Sequence, residues 1–301
     1  MARTLSVAVK SYPHTAFLTD PGFTAGGHPV AVEAADPIYR AFAPMVRELR
    51  YDASELALAT FLQAREAGVA ISLLPVVLSG DFHHHSLTRW PGSAELEPAD
   101  LAGRKVGVRA YSQTSGLWVR GILHEEFGID AKDVTWVTTE GPHVAEYVEP
   151  PNVERTHGKL LEVLERGEVG AAVLGPPALD GAQGPLVPII PRWREAEEAW
   201  GVRHATVPIN HMLTVRRDLL EAEPDTVAEL YRAFGARIEQ RTATAPDPGP
   251  RVRALRFGIT DELVAGLQVA IDYALQQNVI RTPVTVAELL GDFTRHLGGS
   301  A

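Results

Sequence analysis

Residues 103–123 read GRKVGVRAYSQTSGLWVRGIL. Within them Lys105-Val106-Gly107-Val108 is a short run of β type, Tyr111-Ser112-Gln113-Thr114-Ser115 is a polar loop, and from Leu117 the apolar residues recur at helical spacing. A strand that feeds a hydroxyl-rich turn and then a helix aims backbone N–H groups and Ser/Thr hydroxyls at one spot, which suits an anion. The same residue types cap helices for purely structural reasons. Ser112, Thr114 and Ser115 are therefore read as substrate binders, with helix capping as the competing account. Arg120, two turns into the helix, either reaches the same spot or ties down a loop.

Working outward, strands and helices alternate. Residues 5–9 read as a first strand, followed by a loop with Tyr12, His14 and Thr15 and a Gly/Pro-rich turn over 21–29. The spacing predicts a helix over 37–47, a second helix closed by Gly68, and a buried strand over 69–74 stopped by Pro75. Asp52 with Glu55 three residues on fits a capping box for that second helix. Strands are expected at 134–137, 169–174 (ending at Gly175-Pro176-Pro177) and 206–215. Helices are expected at 157–166, 193–200, 226–240, 261–277 and 286–296. A Gly/Pro-rich connector covers 180–192, and a GGSA tail ends the chain. This alternation predicts an α/β fold of two lobes, each a mixed, mostly parallel sheet flanked by helices, with a helical C-terminal segment. Lobe 1 takes residues 1–102 and 207–301, and lobe 2 takes 103–206. Ligands in such folds sit beyond the carboxyl ends of strands, so the crevice between the lobes is the expected site.

Composition narrows the function classes. The 301 residues carry 28 Lys and Arg against 38 Asp and Glu, a formal net charge of −10, and no basic block. Nucleic acid and anionic membrane surfaces are therefore not expected partners, whereas a small anion held by local N–H groups remains compatible. The absence of cysteine removes disulfides, thiolate catalysis and Cys-based metal sites. The first residues lack the apolar core and cleavage site of a secretory signal, and a cytoplasmic protein is expected. No Gly-x-Gly-x-x-Gly, P-loop or Gly-x-Ser-x-Gly pattern follows a strand, so neither a nucleotide cofactor nor a serine hydrolase is indicated. His83-His84-His85 places alternate side chains on opposite faces if extended. A metal would need further ligands converging on His83 and His85, so none is expected.

Several segments resemble, in order, the 4,5-dihydroxyphthalate decarboxylase family, whose members look like type II periplasmic solute-binding proteins recast as enzymes. These are residues 51–56 (YDASEL), Leu74-Pro75 leading to His85-Ser86, residues 100–108 (DLAGRKVGV), residues 114–123 (TSGLWVRGIL) and residues 207–211 (VPINH). Two departures stand out. The family carries arginines on the approach to its His-Ser, where this chain has Ser79-Gly80-Asp81-Phe82-His83-His84. Asn210 stands where the family has Met. Arginine is the natural fork for a carboxylate, so its loss implies a substrate with a different anionic pattern from a phthalate.

The resemblance implies decarboxylation of a hydroxylated aromatic acid or a similar conjugated acid. With a hydroxyl ortho or para to the carboxylate, protonation of the ring carbon lets CO2 leave without a cofactor. The site must supply an acid, a base for the phenol and a pocket that weakens carboxylate solvation. His85 and His211, at family-like positions, are the expected proton-transfer residues, since imidazole titrates near pH ~6.5. Glu55 orients a histidine or accepts a substrate hydroxyl, unless it is only a cap. His14, Ser54, His83 and Ser86 complete the expected substrate contacts with Ser112, Thr114, Ser115 and Arg120. Two alternatives stay open: a non-catalytic binding protein for a small anion, and another lyase, such as a dehydratase, on the same fold. The apolar C-terminal helices would suit a homodimer.

Overall fold

The structure is a computed structural model that describes residues 2–33, 35–175, 186–246 and 248–298. The turn at Pro176-Pro177, the first part of the 180–192 connector and the end of the GGSA tail lie outside the described residues.

Thirteen strands form two sheets among the described residues. In chain order the strands of the first sheet are β1 (Leu5–Ala8), β2 (Thr24–Ala25), β3 (His28–Val32), β4 (Ala53–Ala57) and β5 (Ile71–Gly80). The second sheet takes β6 (Leu87–Arg89), β7 (Lys105–Val108), β8 (Thr135–Thr138), β9 (Val153–Arg155), β10 (Ala171–Val173) and β11 (Val187–Pro188). The chain then returns to the first sheet with β12 (Ile209–Arg216) and β13 (Arg256–Phe257), giving the orders β13-β5-β12-β4-β1-β3-β2 and β11-β6-β10-β7-β8-β9. The fold is α/β with two mixed sheets. Because β6 pairs with β10 and β11, the chain first crosses between lobes between Gly80 and Leu87, earlier than the expected boundary at 102/103.

Four local readings change. Pro75 does not stop a strand: β5 runs through it to Gly80. Along β12, Met212 faces Val77 and Thr214 faces Leu73, so Pro75 sits in a bulge where no ladder N–H is required. Asp52 and Glu55 are not a capping box, because residues 53–57 are the fully buried strand β4. Asp52 instead accepts from the Ser6 N–H and the Arg3 guanidinium. The Gly/Pro-rich turn contains the hairpin of β2 and β3. The last predicted helix is two, Val286–Leu289 and Gly291–Leu297.

The principal helices are α1 (Phe42–Glu48), α2 (Leu58–Glu66), α3 (Thr114–Phe127), α4 (Leu160–Glu165), α5 (Trp193–His204), α6 (Arg217–Ala222), α7 (Pro224–Ala243) and α8 (Asp261–Gln276). The largest apolar core is continuous across both lobes. Its seam is aromatic: Trp118 of α3 meets Trp200 of α5 and Tyr273 of α8 edge-on, and the Trp118 indole donates to the Ile209 carbonyl. Gly121 lets α3 approach α8, since a Cβ there would lie 1.9 Å from the Tyr273 ring. A smaller cluster, with Val163 and Leu164 of α4, packs only within lobe 2. No helix among the described residues is long and apolar enough to cross a membrane.

Candidate active site

The antiparallel pairing of β4 and β12 creates the first constellation. His211 faces Ala57 and Leu213 faces Glu55, so Glu55 and His211 are diagonal neighbours on one face of the sheet. Their side chains meet, with His211 Nδ1 2.6 Å from Glu55 Oε1. Glu55 is fully buried and also accepts from the Lys10 N–H at 2.9 Å and the Tyr12 hydroxyl at 3.0 Å. Both arrive from the loop after β1, which runs parallel to β4. Burial alone would push the Glu55 carboxyl up. The hydrogen bond and charge of His211, with Lys10 N–H and Tyr12, outweigh that and hold it below the usual range. Burial and the neighbouring Glu55 raise the Tyr12 phenol, so it stays protonated. His211 is 23% exposed through its side chain, and its Nε2 has no hydrogen-bond partner among the described residues.

A second pair forms where the chain crosses between lobes. His85 lies on a short 3-10 turn (His84–Ser86), and its Nδ1 is 2.6 Å from Glu197 Oε1. Glu197 and Trp193 are one turn apart on α5, so they flank His85 together, with the Trp193 ring 5.3 Å from the imidazole. Glu197 also takes the His85 backbone N–H at 3.3 Å. Its His85 partner is 19% exposed, with Nε2 free of hydrogen bonds among the described residues.

The other expected residues fall into different roles. His14 is buried, bonded through Nε2 to the Leu78 carbonyl and stacked on Tyr12 at 4.9 Å, which makes it a prop for the Glu55 cluster. Ser54 faces away from Glu55, is fully buried and donates to the Glu55 carbonyl. His83 is buried between Asn210 Oδ1, at 2.8 Å, and the Ser86 hydroxyl; burial pushes its imidazole down to about 4, so it is neutral at neutral pH. His83 and His85 therefore serve different partners, and among the described residues no three His, Asp or Glu side chains gather as a metal-ligand set.

Helix α3 begins earlier than its apolar spacing shows, at Thr114. Thr114 Oγ1 accepts from the Ala59 N–H at 3.2 Å, so the first turns of α2 and α3 meet across the lobes. Ser115 bonds only to Gln113, and the buried Ser112 hydroxyl has no partner among the described residues. Arg120 does not reach the expected binding spot. It is fully enclosed, stacked on Tyr111 at 4.0 Å, and donates to Gln277 Oε1 and the Tyr111 carbonyl. It has no acidic partner among the described residues, and burial lowers its pKa.

Sequence reasoning missed Tyr12, Glu197 and His143. His143 lies in the loop between β8 and β9, is buried, and bonds through Nδ1 to the Thr60 hydroxyl at 2.8 Å. Its ring and that of His211 both meet Phe42 edge-on, at 5.6 and 5.2 Å between centroids. No motif marks it, because the contact depends on a loop of one lobe reaching a helix of the other.

No family model matches the chain. A curated 4,5-dihydroxyphthalate decarboxylase of Comamonas testosteroni is 30% identical over 251 residues, covering 76% of this chain and 73% of that protein. The chain belongs to the 4,5-dihydroxyphthalate decarboxylase family. A second curated protein of that name, from Pseudomonas putida, is 30% identical over 196 residues, 61% of this chain and 71% of the relative. The fold is that of periplasmic solute-binding proteins: the aliphatic sulphonate binding protein SsuA of Escherichia coli superposes with a TM-score of 0.58 at 13% identity, covering 95% of this chain and 96% of SsuA.

Proposed function

We propose that this protein is a decarboxylase of a hydroxylated aromatic acid, working by proton transfer without a cofactor. The observation that carries the reading is the Glu55–His211 pair. A buried carboxylate held by three donors orients the imidazole through Nδ1 and leaves its Nε2 as the nitrogen able to react. In the step itself, protonated His211 gives its Nε2 proton to the ring carbon bearing the carboxylate. The ring–carboxylate bond breaks, its electron pair restores the aromatic ring, and CO2 leaves. His85, oriented by Glu197, takes the phenol proton and returns it as the ring regains aromaticity. The net change is one carboxylate and one proton converted to one C–H bond and CO2.

Binding is assigned to the first turn of α3. Its N–H groups, the Ser112 hydroxyl, which has no partner among the described residues, and the positive charge of Arg120 behind the turn favour an anion. Arg120 acts there through the field of an uncompensated buried cation rather than by contact. The family relationship supports the reaction class, while the lost arginines near His85 point to an acid other than 4,5-dihydroxyphthalate as the better substrate.

The test is CO2 release across hydroxybenzoates and hydroxyphthalates. The reading expects turnover of at least one hydroxyaryl carboxylate, faster than that of 4,5-dihydroxyphthalate. Tight binding of such acids with no product from any of them would instead favour a solute-binding role.

A further inference from the structure

The β8–β9 loop of lobe 2 is built onto lobe 1 around the His211 site. Arg47 of α1 donates to the Pro142 and His143 carbonyls at 2.8 and 2.7 Å. Glu140 pairs with Arg109, whose guanidinium lies 3.9 Å over the Tyr39 ring, and the Tyr147 hydroxyl donates to the Asn278 carbonyl. Between these anchors His143 is fixed on both sides. Its carbonyl is taken by Arg47, its Nδ1 by Thr60, and its ring edge by the Phe42 ring that also packs on His211. Its Nε2 has no protein partner among the described residues.

His143 differs from His211 in what stands behind it. His211 is backed by a carboxylate, which suits a charged imidazole. His143 is backed by a hydroxyl and has Arg47 and Arg109 for charged neighbours, which suits a neutral one. The buried Thr60 hydroxyl has no other acceptor for its hydrogen among the described residues, so the tautomer that satisfies it has the hydroxyl donating to Nδ1 and the ring hydrogen on Nε2. A neutral N–H donor beside the reacting histidine is matched to an uncharged or partly charged oxygen.

Resting on the decarboxylase reading of the same site, we infer that His143 is a specificity residue whose Nε2–H hydrogen-bonds a ring hydroxyl of the substrate. It selects hydroxylated acids over their unhydroxylated counterparts. It contributes no proton to the ring carbon, a role left to His211.

The experiment is calorimetric binding of two matched pairs to the full chain: benzoate with 3,4-dihydroxybenzoate, and phthalate with 4,5-dihydroxyphthalate. One net hydrogen bond corresponds to about a tenfold preference for the hydroxylated acid in wild type. His143→Ala is expected to reduce that preference to less than about threefold, with the unhydroxylated acid bound as before. His143→Gln, which keeps an N–H donor near the Nε2 position, is expected to restore part of it. Circular dichroism checks that each variant folds. Retention of the full preference by folded His143→Ala overturns the inference, as does a wild type that binds neither pair or shows no preference in either. CO2 release, read separately, keeps the two claims apart. Discrimination without CO2 removes the decarboxylase reading alone, and CO2 release with an unchanged preference in His143→Ala removes this inference alone.

Discussion

Among the histidine–carboxylate pairs of the described residues, two share the same 2.6 Å contact in different surroundings. Glu55 lies in the middle of a sheet, fully buried, and is held by His211, a backbone N–H and a phenol. Glu197 lies on a helix, beside the turn that carries the chain from one lobe to the other, and both of its contacts go to His85. The first pair has its geometry fixed by strand register, whereas the second depends on the placement of α5 against a 3-10 turn. In the proposed reaction this rigidity suits the group assigned to deliver a proton to carbon, where misplacement is costly. The second pair suits a faster, more forgiving exchange with oxygen.

The comparison breaks if the two pairs respond alike to mutation. His211→Ala is expected to lower kcat by about a thousandfold, and His85→Ala by roughly a hundredfold, within the range of general acid–base contributions. Steady-state CO2 release decides between them, and equal losses would remove the division of roles. The partners should differ in stability as well. Glu55→Gln leaves a buried group that cannot accept from all three donors and is expected to cost about 2–3 kcal/mol, against less than about 1 kcal/mol for Glu197→Gln, measured by denaturant unfolding.

Acid sharpens the contrast between the carboxylate-backed histidines and the buried neutral ones. Burial, then Arg109, Arg47 and His211, push His143 down to about 4, and burial pushes His83 to the same value. Each binds a proton more readily when unfolded, so its contribution to stability is complete above about pH 6.5 and is lost as pH falls toward 4. Wild type should lose roughly 3 kcal/mol per group over that window, and His143→Ala should flatten the fall. An unchanged slope in the variant would show that His143 is charged in the folded protein. The smallest effect on turnover is expected at the seam. Gly121→Ala, forced against Tyr273, should lower stability by about 2 kcal/mol while His211 keeps its partner and kcat changes less than about threefold.

Much of the fold was legible in the chain because apolar periodicity is local. Residues 105–108 and 261–276 read directly as a strand and a helix. The misreadings have a common origin in long-range pairing. YDASEL reads as a helix start by its Asp-x-x-Glu spacing, and only pairing with β12 makes it a strand. Pro75 reads as a stop until a bulge absorbs it. The site was legible in part: His85, His211 and Glu55 carry family-like signals, but Glu197 and His143 are joined to it across 112 and 83 residues of sequence. The Trp-x-Arg-Gly-Ile-Leu segment taught the opposite lesson. Its Trp118, Arg120 and Gly121 build the seam between lobes, and the groups proposed to bind the anion lie in the turn just before it.

The most direct test of the account is CO2 release and ligand affinity measured side by side in wild type and His211→Ala with the best hydroxyaryl carboxylate at saturation. The account predicts one CO2 per substrate consumed by wild type, and a variant that binds within a few-fold of wild type but turns over about a thousandfold more slowly. A variant that releases CO2 at the wild-type rate would contradict it.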